Sequence, residues 1–202
     1  MAPTAQTVVA VVLAGGAGSR FAVGGEGHKL DASLPATATE PAESVVERAL
    51  RHVVRAALGP IVVVTGGWSP SESLRAVVPI RFVANPAWAA GQISSVRAGL
   101  DAAAALGADR AVIGLADQPF VSADAWRTIA ASPGPICVAT YAGLRGNPVA
   151  LDRSTWSLLP TDGDEGARAL MRIRPDLVRE VACSGSPADI DTYEDLHRWQ
   201  NN

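Results

Sequence analysis

Val8-Val9-Ala10-Val11-Val12-Leu13-Ala14-Gly15-Gly16-Ala17-Gly18-Ser19-Arg20, running on to His28-Lys29-Leu30, is the stretch whose reading decides the fold. It opens with an unbroken apolar run rich in valine, too short for a membrane span. Such a run reads as a strand buried on both faces of a parallel sheet. The strand runs into glycines, which turn the backbone freely and let a ligand approach it closely. Arg20 and Lys29 follow. Backbone N–H groups and fixed positive charge then converge on one place, a site for polyphosphate. Lys29 is the only lysine; every other long cation is arginine. Lysine supplies a compact point charge with three rotatable donors, which the planar guanidinium does not reproduce. A solvated surface lysine is the plainer reading, and the glycine turn upstream weighs against it.

Two familiar glycine motifs fail on specific residues. Gly16-Ala17-Gly18 begins like the dinucleotide fingerprint, but Phe21 stands where its third glycine belongs. The next apolar run, 61–65, ends in Thr65-Gly66-Gly67, without the acidic residue that would hold a ribose. A Walker A loop needs Gly-Lys-Ser/Thr, whereas Lys29 lies between His28 and Leu30.

Outward from this stretch, residues 31–40 read as loop. Val45, Val46, Ala49, Leu50, Val53, Val54, Ala57 and Leu58 recur at helical spacing, with Pro41 near the start and Gly59 as the stop. Strands are expected at 61–65, 80–84, 110–115 and 135–141, and helices at 71–77, from about 94 to 106, at 122–131, at 167–173 and at the C-terminus. Strand and helix alternate, which predicts a parallel sheet with helices on both faces, an α/β fold. At 202 residues the chain reads as a single domain, 1–202.

Composition closes off several function classes. The net charge is −3, and no basic stripe interleaved with aromatics appears, so no nucleic-acid partner is expected. No stretch reaches the roughly 18 to 20 apolar residues of a membrane helix, and the N-terminus lacks the pattern of a signal peptide. A cytoplasmic protein without membrane contact is expected. Cys137 and Cys183 lie far apart and read as buried thiols in a reducing compartment. His28, His52 and His197 do not cluster, and the five tryptophans read mainly as packing, with Trp88 near the candidate pocket.

Several further positions suggest chemistry. Ser94 and Ser95 fall in the first turn of a helix, where they either cap it or read a polar ligand edge. Asp117 follows a buried strand directly, where ligands bind in parallel α/β sheets, and a carboxylate beside phosphates suits Mg²⁺. A turn aspartate before proline is the bland alternative. Arg145, between glycines, offers a bidentate fork to a phosphate, or belongs to a hairpin loop. Arg168 follows a glycine-rich helix start. Thr192 with Glu194 and Asp195 makes a capped helix start, which leaves Asp189 and Asp191 unexplained.

Taken together the motifs resemble the MobA-like NTP transferases, and within them the molybdenum cofactor cytidylyltransferases. The resemblance rests on Leu13-Ala14-Gly15-Gly16 … Arg20 … Lys29-Leu30; on Asn85-Pro86 … Gly91 … Ser94-Ser95-Val96-Arg97-Ala98-Gly99-Leu100; on Ala116-Asp117-Gln118-Pro119; on Arg145-Gly146-Asn147-Pro148-Val149 with Gly163-Asp164-Glu165-Gly166-Ala167-Arg168; and on Asp189-Ile190-Asp191-Thr192-Tyr193-Glu194-Asp195-Leu196. It implies a Rossmann-like three-layer α/β/α nucleotidyltransferase fold with a mostly parallel central sheet. It implies catalysis by Arg20, Lys29 and Asp117. Nucleotide binding falls to Leu13, Ala14, Gly15, Gly16, Gly18, Arg20, Lys29, Ser94 and Ser95, with Ser95 meeting the base. Acceptor binding falls to Arg145, Gly146, Asn147 and Arg168. Mg²⁺ is implied as cofactor on Asp117 and Asp191, with Asp189 as the fallback for the second ligand. The implied reaction moves CMP from CTP onto the phosphate of molybdopterin and releases pyrophosphate, with a molybdoenzyme or its maturation factor as a protein partner.

Three positions depart from the family pattern. Gly15 matches the guanylyltransferases, where cytidylyltransferases have Leu-Ala-Ala-Gly, so GTP stands behind CTP as the alternative donor. The spacer 21–28 is longer than usual. Glu40-Pro41-Ala42-Glu43 replaces Gly-x-Pro-Leu, which leaves other phosphorylated acceptors open. A nucleotide- or cofactor-binding protein without catalysis is a second class of reading, motivated by the long spacer. A dinucleotide-dependent oxidoreductase is a third, disfavoured by Phe21.

Overall fold

The structure, a computed structural model, describes residues 6–16, 18, 27–37, 41–77 and 80–200, with residues 199 and 200 through their backbone alone. The opening run forms β1 (Val8–Ala14), the third strand of a seven-stranded sheet. On one side β1 pairs in parallel with β4 (Ile61–Thr65), and β4 with β5 (Ile80–Ala84). On its other side β1 pairs in parallel with β6 (Arg110–Leu115). The sheet continues through β8 (Leu144–Asp152) and β7 (Ile136–Tyr141) to β9 (Val178–Ala182), in the order β5-β4-β1-β6-β8-β7-β9. Only β8 runs against the rest, antiparallel to both β6 and β7. The expected mostly parallel sheet of a Rossmann-like α/β fold is therefore present.

The alternation of β1 builds two cores. Ala10, Val12 and Ala14 face one layer, with Leu50 and Val53 of α1 (Val45–Ala56), Leu74 of α2 (Glu72–Arg75), and Trp126 and Ile129 of α4 (Ala123–Ala131). Leu196 of α6 (Tyr193–Gln200) joins the same core. Val9, Val11 and Leu13 face the other layer, with Ile93, Val96 and Leu100 of α3 (Gln92–Ala105) and Leu170 and Met171 of α5 (Ala167–Ile173). Each fully buried aliphatic side chain contributes about 1.5–3 kcal/mol, so the valine-rich run specifies both its own strand and the layers around it.

Four expectations are corrected. α1 ends at Ala57, whose left-handed φ of 54° breaks the ladder two residues before Gly59. Gly59 answers a different need, since a Cβ there would lie 2.5 Å from Val8 O. The start of α1 is set by a capping box between Ser44 and Glu47, not by Pro41. The expected loop at 31–40 contains β2 (Ser33–Leu34), which pairs with β3 (Glu43–Ser44). Finally, Arg145, Gly146 and Asn147 lie within strand β8; the hairpin turn precedes them, where Ala142 and Gly143 have positive φ.

Candidate active site

The carboxyl ends of β1 and β6, neighbours at the centre of the sheet, open into one cleft. Gly15 and Gly16 leave β1 there, and Gly67 N donates to Gly15 O at 3.0 Å. A side chain at Gly15 would press on Ser95: a Cβ would sit 2.8 Å from Ser95 Oγ. Ser95 is buried and accepts from Asn85 Nδ2 at 3.0 Å. That bond uses an acceptor lone pair and leaves the Ser95 hydroxyl proton to donate. Ser94 also accepts from Asn85 Nδ2, while its own O–H reaches Gly91 O and Ala87 O. Neither serine caps α3, whose N-cap is Gly91.

Lys29 is placed by a short 3₁₀ turn, Lys29–Asp31. His28 Nδ1 accepts from Leu30 N at 3.2 Å, so the ring proton belongs on Nε2, which lies 3.0 Å from Gly16 O. One histidine thereby ties the lysine turn to the glycine turn. Leu30 is buried in the core behind, and Asp31 accepts from the indole N–H of buried Trp68 at 2.9 Å.

The Lys29 ammonium then reaches two carboxylates, Asp117 Oδ2 at 2.5 Å and Asp191 Oδ1 at 2.7 Å. Burial works against its charge, but Asp117 and then Asp191 outweigh burial and hold its pKa above the ordinary lysine value. Ile190 N donates to Asp117 O at 2.9 Å, which brings the segment carrying Asp191 against the end of β6. Asp195 braces that segment from below: its Oδ2 accepts from Asp191 N and Thr192 N, while its own N–H donates to Thr192 Oγ1.

These carboxylates fit a divalent cation. Asp117 Oδ1 is buried and has no hydrogen-bond partner. An orphaned carboxylate oxygen in such a place costs about 1–3 kcal/mol unless a ligand meets it. Among the described residues no group of three or more His, Cys, Asp and Glu gathers for a metal. A hard divalent cation is held by one or two carboxylates together with phosphate oxygens and water. Asp189 has another task. Its Oδ1 accepts from Gln118 Nε2 at 2.6 Å, and burial, with Asp117 nearby, raises its carboxyl pKa.

The cleft has two lobes. The smaller, about 290 Å³, is bounded by the residues 13–16, His28, Trp88, Ser95 and Asp164. The larger, about 640 Å³, has an apolar floor that includes Val96, Val138 and Val149, and a rim that carries Arg145, Asn147 and Arg168. Leu13, Lys29, Gln92, Leu115 and Asp117 border both. The ammonium–carboxylate pair thus stands at the waist between two ligand-sized spaces. Within the larger lobe the amide of Asn147 is fixed: its Nδ2 donates to Gln118 Oε1 at 3.1 Å. Tyr141, whose phenol burial and then Cys183 keep protonated, donates to Asn147 O at 2.7 Å. The guanidinium of Arg168 makes no hydrogen bond or ion pair among the described residues, and Arg145 pairs at its Nε with Glu180 at 2.7 Å.

The glycine turn, the lysine–aspartate waist and the two lobes belong to a chain that is similar to known proteins. The family described as "MobA-like NTP transferase domain" matches residues 10–181. The chain belongs to that family. "Nicotine blue oxidoreductase" of Paenarthrobacter nicotinovorans is 33% identical over 205 residues, covering 95% of each chain. Among solved structures, Rv0371c of Mycobacterium tuberculosis is 26% identical with a TM-score of 0.77, covering 98% of this chain and 100% of its own. It has also been solved in complex with manganese. A nucleotidyl transferase of Methanothermobacter, Mth528, is 26% identical with a TM-score of 0.76 over 96% of each chain. Family and neighbours place the chain among the nucleotidyltransferases.

Of the residues singled out from sequence, Leu13, Ala14, Gly15, Gly16, Lys29, Ser95, Asp117 and Asp191 line the cleft, as do Arg145, Gly146, Asn147 and Arg168. Arg20 lies outside the described residues. Gly18, at φ 62°, packs against His28, which a Cβ would approach to 2.9 Å. Ser94 is occupied by its loop and is not among the lining residues. Sequence reasoning missed His28, Gln92 and Gln118. Their neighbours in the chain, Lys29, Gly91 and Asp117, were the only signal that could have found them. His52 stays outside the site on α1, its pKa pushed down to about 4 by burial and by Arg51.

Proposed function

We propose that the chain is a Mg²⁺-dependent cytidylyltransferase that moves CMP from CTP onto the phosphate of molybdopterin. The observation that carries the reading is the waist, where Lys29 and Asp117 border both lobes and Asp191 completes the cluster. The NTP occupies the smaller lobe, with its triphosphate over the glycine turn and its base at Ser95. The acceptor occupies the larger lobe, under Arg145, Gly146, Asn147 and Arg168. An acceptor phosphate oxygen attacks the α-phosphorus in line, the bond from that phosphorus to the β-phosphate's bridging oxygen breaks, and pyrophosphate leaves with the electron pair. No protein nucleophile is needed; positioning and charge supply the rate. Asp117 and Asp191 would hold Mg²⁺, which supplies charge neutralisation on the phosphates when bound. Lys29 and Arg20 neutralise charge on the NTP and on the leaving group. The setting is cytoplasmic, and the product passes to a molybdoenzyme or its maturation factor.

Support comes from the family, from the divalent-metal complex of a neighbour and from the unpartnered oxygen of Asp117. Gly15 keeps GTP as the alternative donor, with another phosphorylated acceptor in molybdopterin's place. Pyrophosphate release from CTP, Mg²⁺ and molybdopterin tests the reading. Asp117→Asn is expected to lower the rate at least ~100-fold, the order seen when a preorganised charge is removed from a transition state. Undiminished release by that variant overturns the mechanism.

A second reading, an oxidoreductase working through the same cleft, has one observation in its favour: the name of the relative from P. nicotinovorans. It predicts a change in NADH fluorescence on mixing with the protein, where the transferase reading predicts none.

A further inference from the structure

The turn at 163–166 lines both lobes, and the nucleotide and acceptor assignments leave one of its side chains without a task. Asp164 borders the smaller lobe, while Glu165, Ala167 and Arg168 border the larger. The turn is seated on the start of α3 by glycines on both sides. At Gly91, φ 110°, a Cβ would lie 2.7 Å from Asp164 Oδ1 and 2.7 Å from Gly163 O. At Gly166, φ 55°, a Cβ would lie 2.5 Å from Gln92 Oε1. Close approach of this kind holds the carboxylate in place through the backbone rather than leaving it on a free loop.

Helix capping does not account for Asp164. Gly163 O accepts from Ile93 N at 3.1 Å, and Gly91 O accepts from Ser94 N at 3.1 Å, so backbone carbonyls serve those donors. Asp164 itself makes no hydrogen bond or ion pair among the described residues. Its charge also constrains what it can face. The other lining carboxylate of this lobe, Asp117, is paired with Lys29; Asp164 has no cationic partner among the described residues. An unneutralised carboxylate repels phosphate and accepts from neutral O–H or N–H donors. The base end of the lobe is taken by Ser95, and the phosphate end by Lys29 and the glycine turn. Between them lies the sugar, with two vicinal hydroxyls that a single carboxylate accepts together.

We infer that Asp164 reads the ribose of the bound triphosphate, accepting from its 2′- and 3′-hydroxyls and making the site select ribonucleotides over deoxyribonucleotides. The inference rests on the nucleotide-binding reading of the smaller lobe. It is tested by titrating the full chain, with Mg²⁺, against CTP and 2′-deoxy-CTP, in the wild type and in Asp164→Ala. Asp164 is exposed, so the variant keeps its fold, which its unfolding midpoint without nucleotide checks. The expected result is wild-type binding of CTP about 10-fold tighter than dCTP, as for loss of one hydrogen bond to a charged acceptor, and near-equal binding of the two by the variant. Tight CTP binding with the same CTP/dCTP ratio in both proteins overturns the inference and leaves the nucleotide-binding reading standing. A variant that changes the preference among CTP, GTP and UTP but not the sugar ratio also overturns it, since the carboxylate then reads the base. Absence of binding by any nucleotide overturns both.

Discussion

Lys29 is held between Asp117 and Asp191 by a histidine, a leucine and a tryptophan hydrogen bond, so its ammonium is aimed rather than free. Its own charge keeps two carboxylates together whose mutual repulsion is unfavourable in a partly buried place. Lys29→Met removes that counter-charge while keeping an unbranched stem. It is expected to lower the unfolding midpoint in EDTA, and Mg²⁺ is expected to raise the midpoint more in the variant than in the wild type. Differential scanning fluorimetry with and without Mg²⁺ reads both effects; equal Mg²⁺ shifts in the two proteins would show that the carboxylates do not share a cation site. The position of Lys29 was legible in the sequence because no other lysine competes with it. The aim of its side chain was not, because His28 acts through Gly16 and Trp68 through Asp31, contacts that only folding creates.

At the scale of elements, α3 carries both the site and the core. Ser95 faces the lobe, while Gly99, one turn on, lets the helix settle onto the sheet: a Cβ there would lie 2.5 Å from Val11 Cγ1 and 3.2 Å from Val64 Cγ2. Replacing a helix-interior glycine by alanine gains up to about 1 kcal/mol of propensity. Overpacking a close-packed core costs about 1–3 kcal/mol, and the β-branched valines opposite have little rotamer freedom to yield. The second effect wins. Gly99→Ala is expected to lower the unfolding midpoint by roughly 2–4 °C per kcal/mol lost, for a chain of this size; a rise in midpoint would show that the helix can lift off the sheet at no cost. The same contrast explains which elements the sequence disclosed. β1, β4 and β6 are buried on both faces and read as apolar runs. β8 begins Leu144-Arg145-Gly146-Asn147, and the start of the strand lines the larger lobe, so its polar and glycine positions mask its strand pattern. β9, at the sheet edge, is half polar for the ordinary reason that an edge meets water.

The whole molecule is two ligand spaces meeting at one charged waist, with the sheet order fixing the waist beside the central strand. On the proposed reading the donor nucleotide binds as a metal complex at this waist, where Asp117 borders both lobes and Asp191 borders the larger. A ligand that binds only the folded state stabilises it by mass action, about 2.7 kcal/mol at 100 times its Kd. At this chain length that is a rise on the order of 5–10 °C. CTP, GTP, ATP and UTP, each with Mg²⁺ or with EDTA, therefore separate the readings in one experiment. CTP is expected to give the shift, and EDTA to remove most of it. At Gly15 no methyl group presses on Ser95, so the lobe is wider there than a Leu-Ala-Ala-Gly turn would leave it. A shift with GTP in place of CTP would mean that this extra room admits a purine and that the chain is a guanylyltransferase. Shifts of equal size with and without the metal would remove Asp117 and Asp191 from nucleotide binding, leaving the lysine and the glycine turn to hold the triphosphate alone.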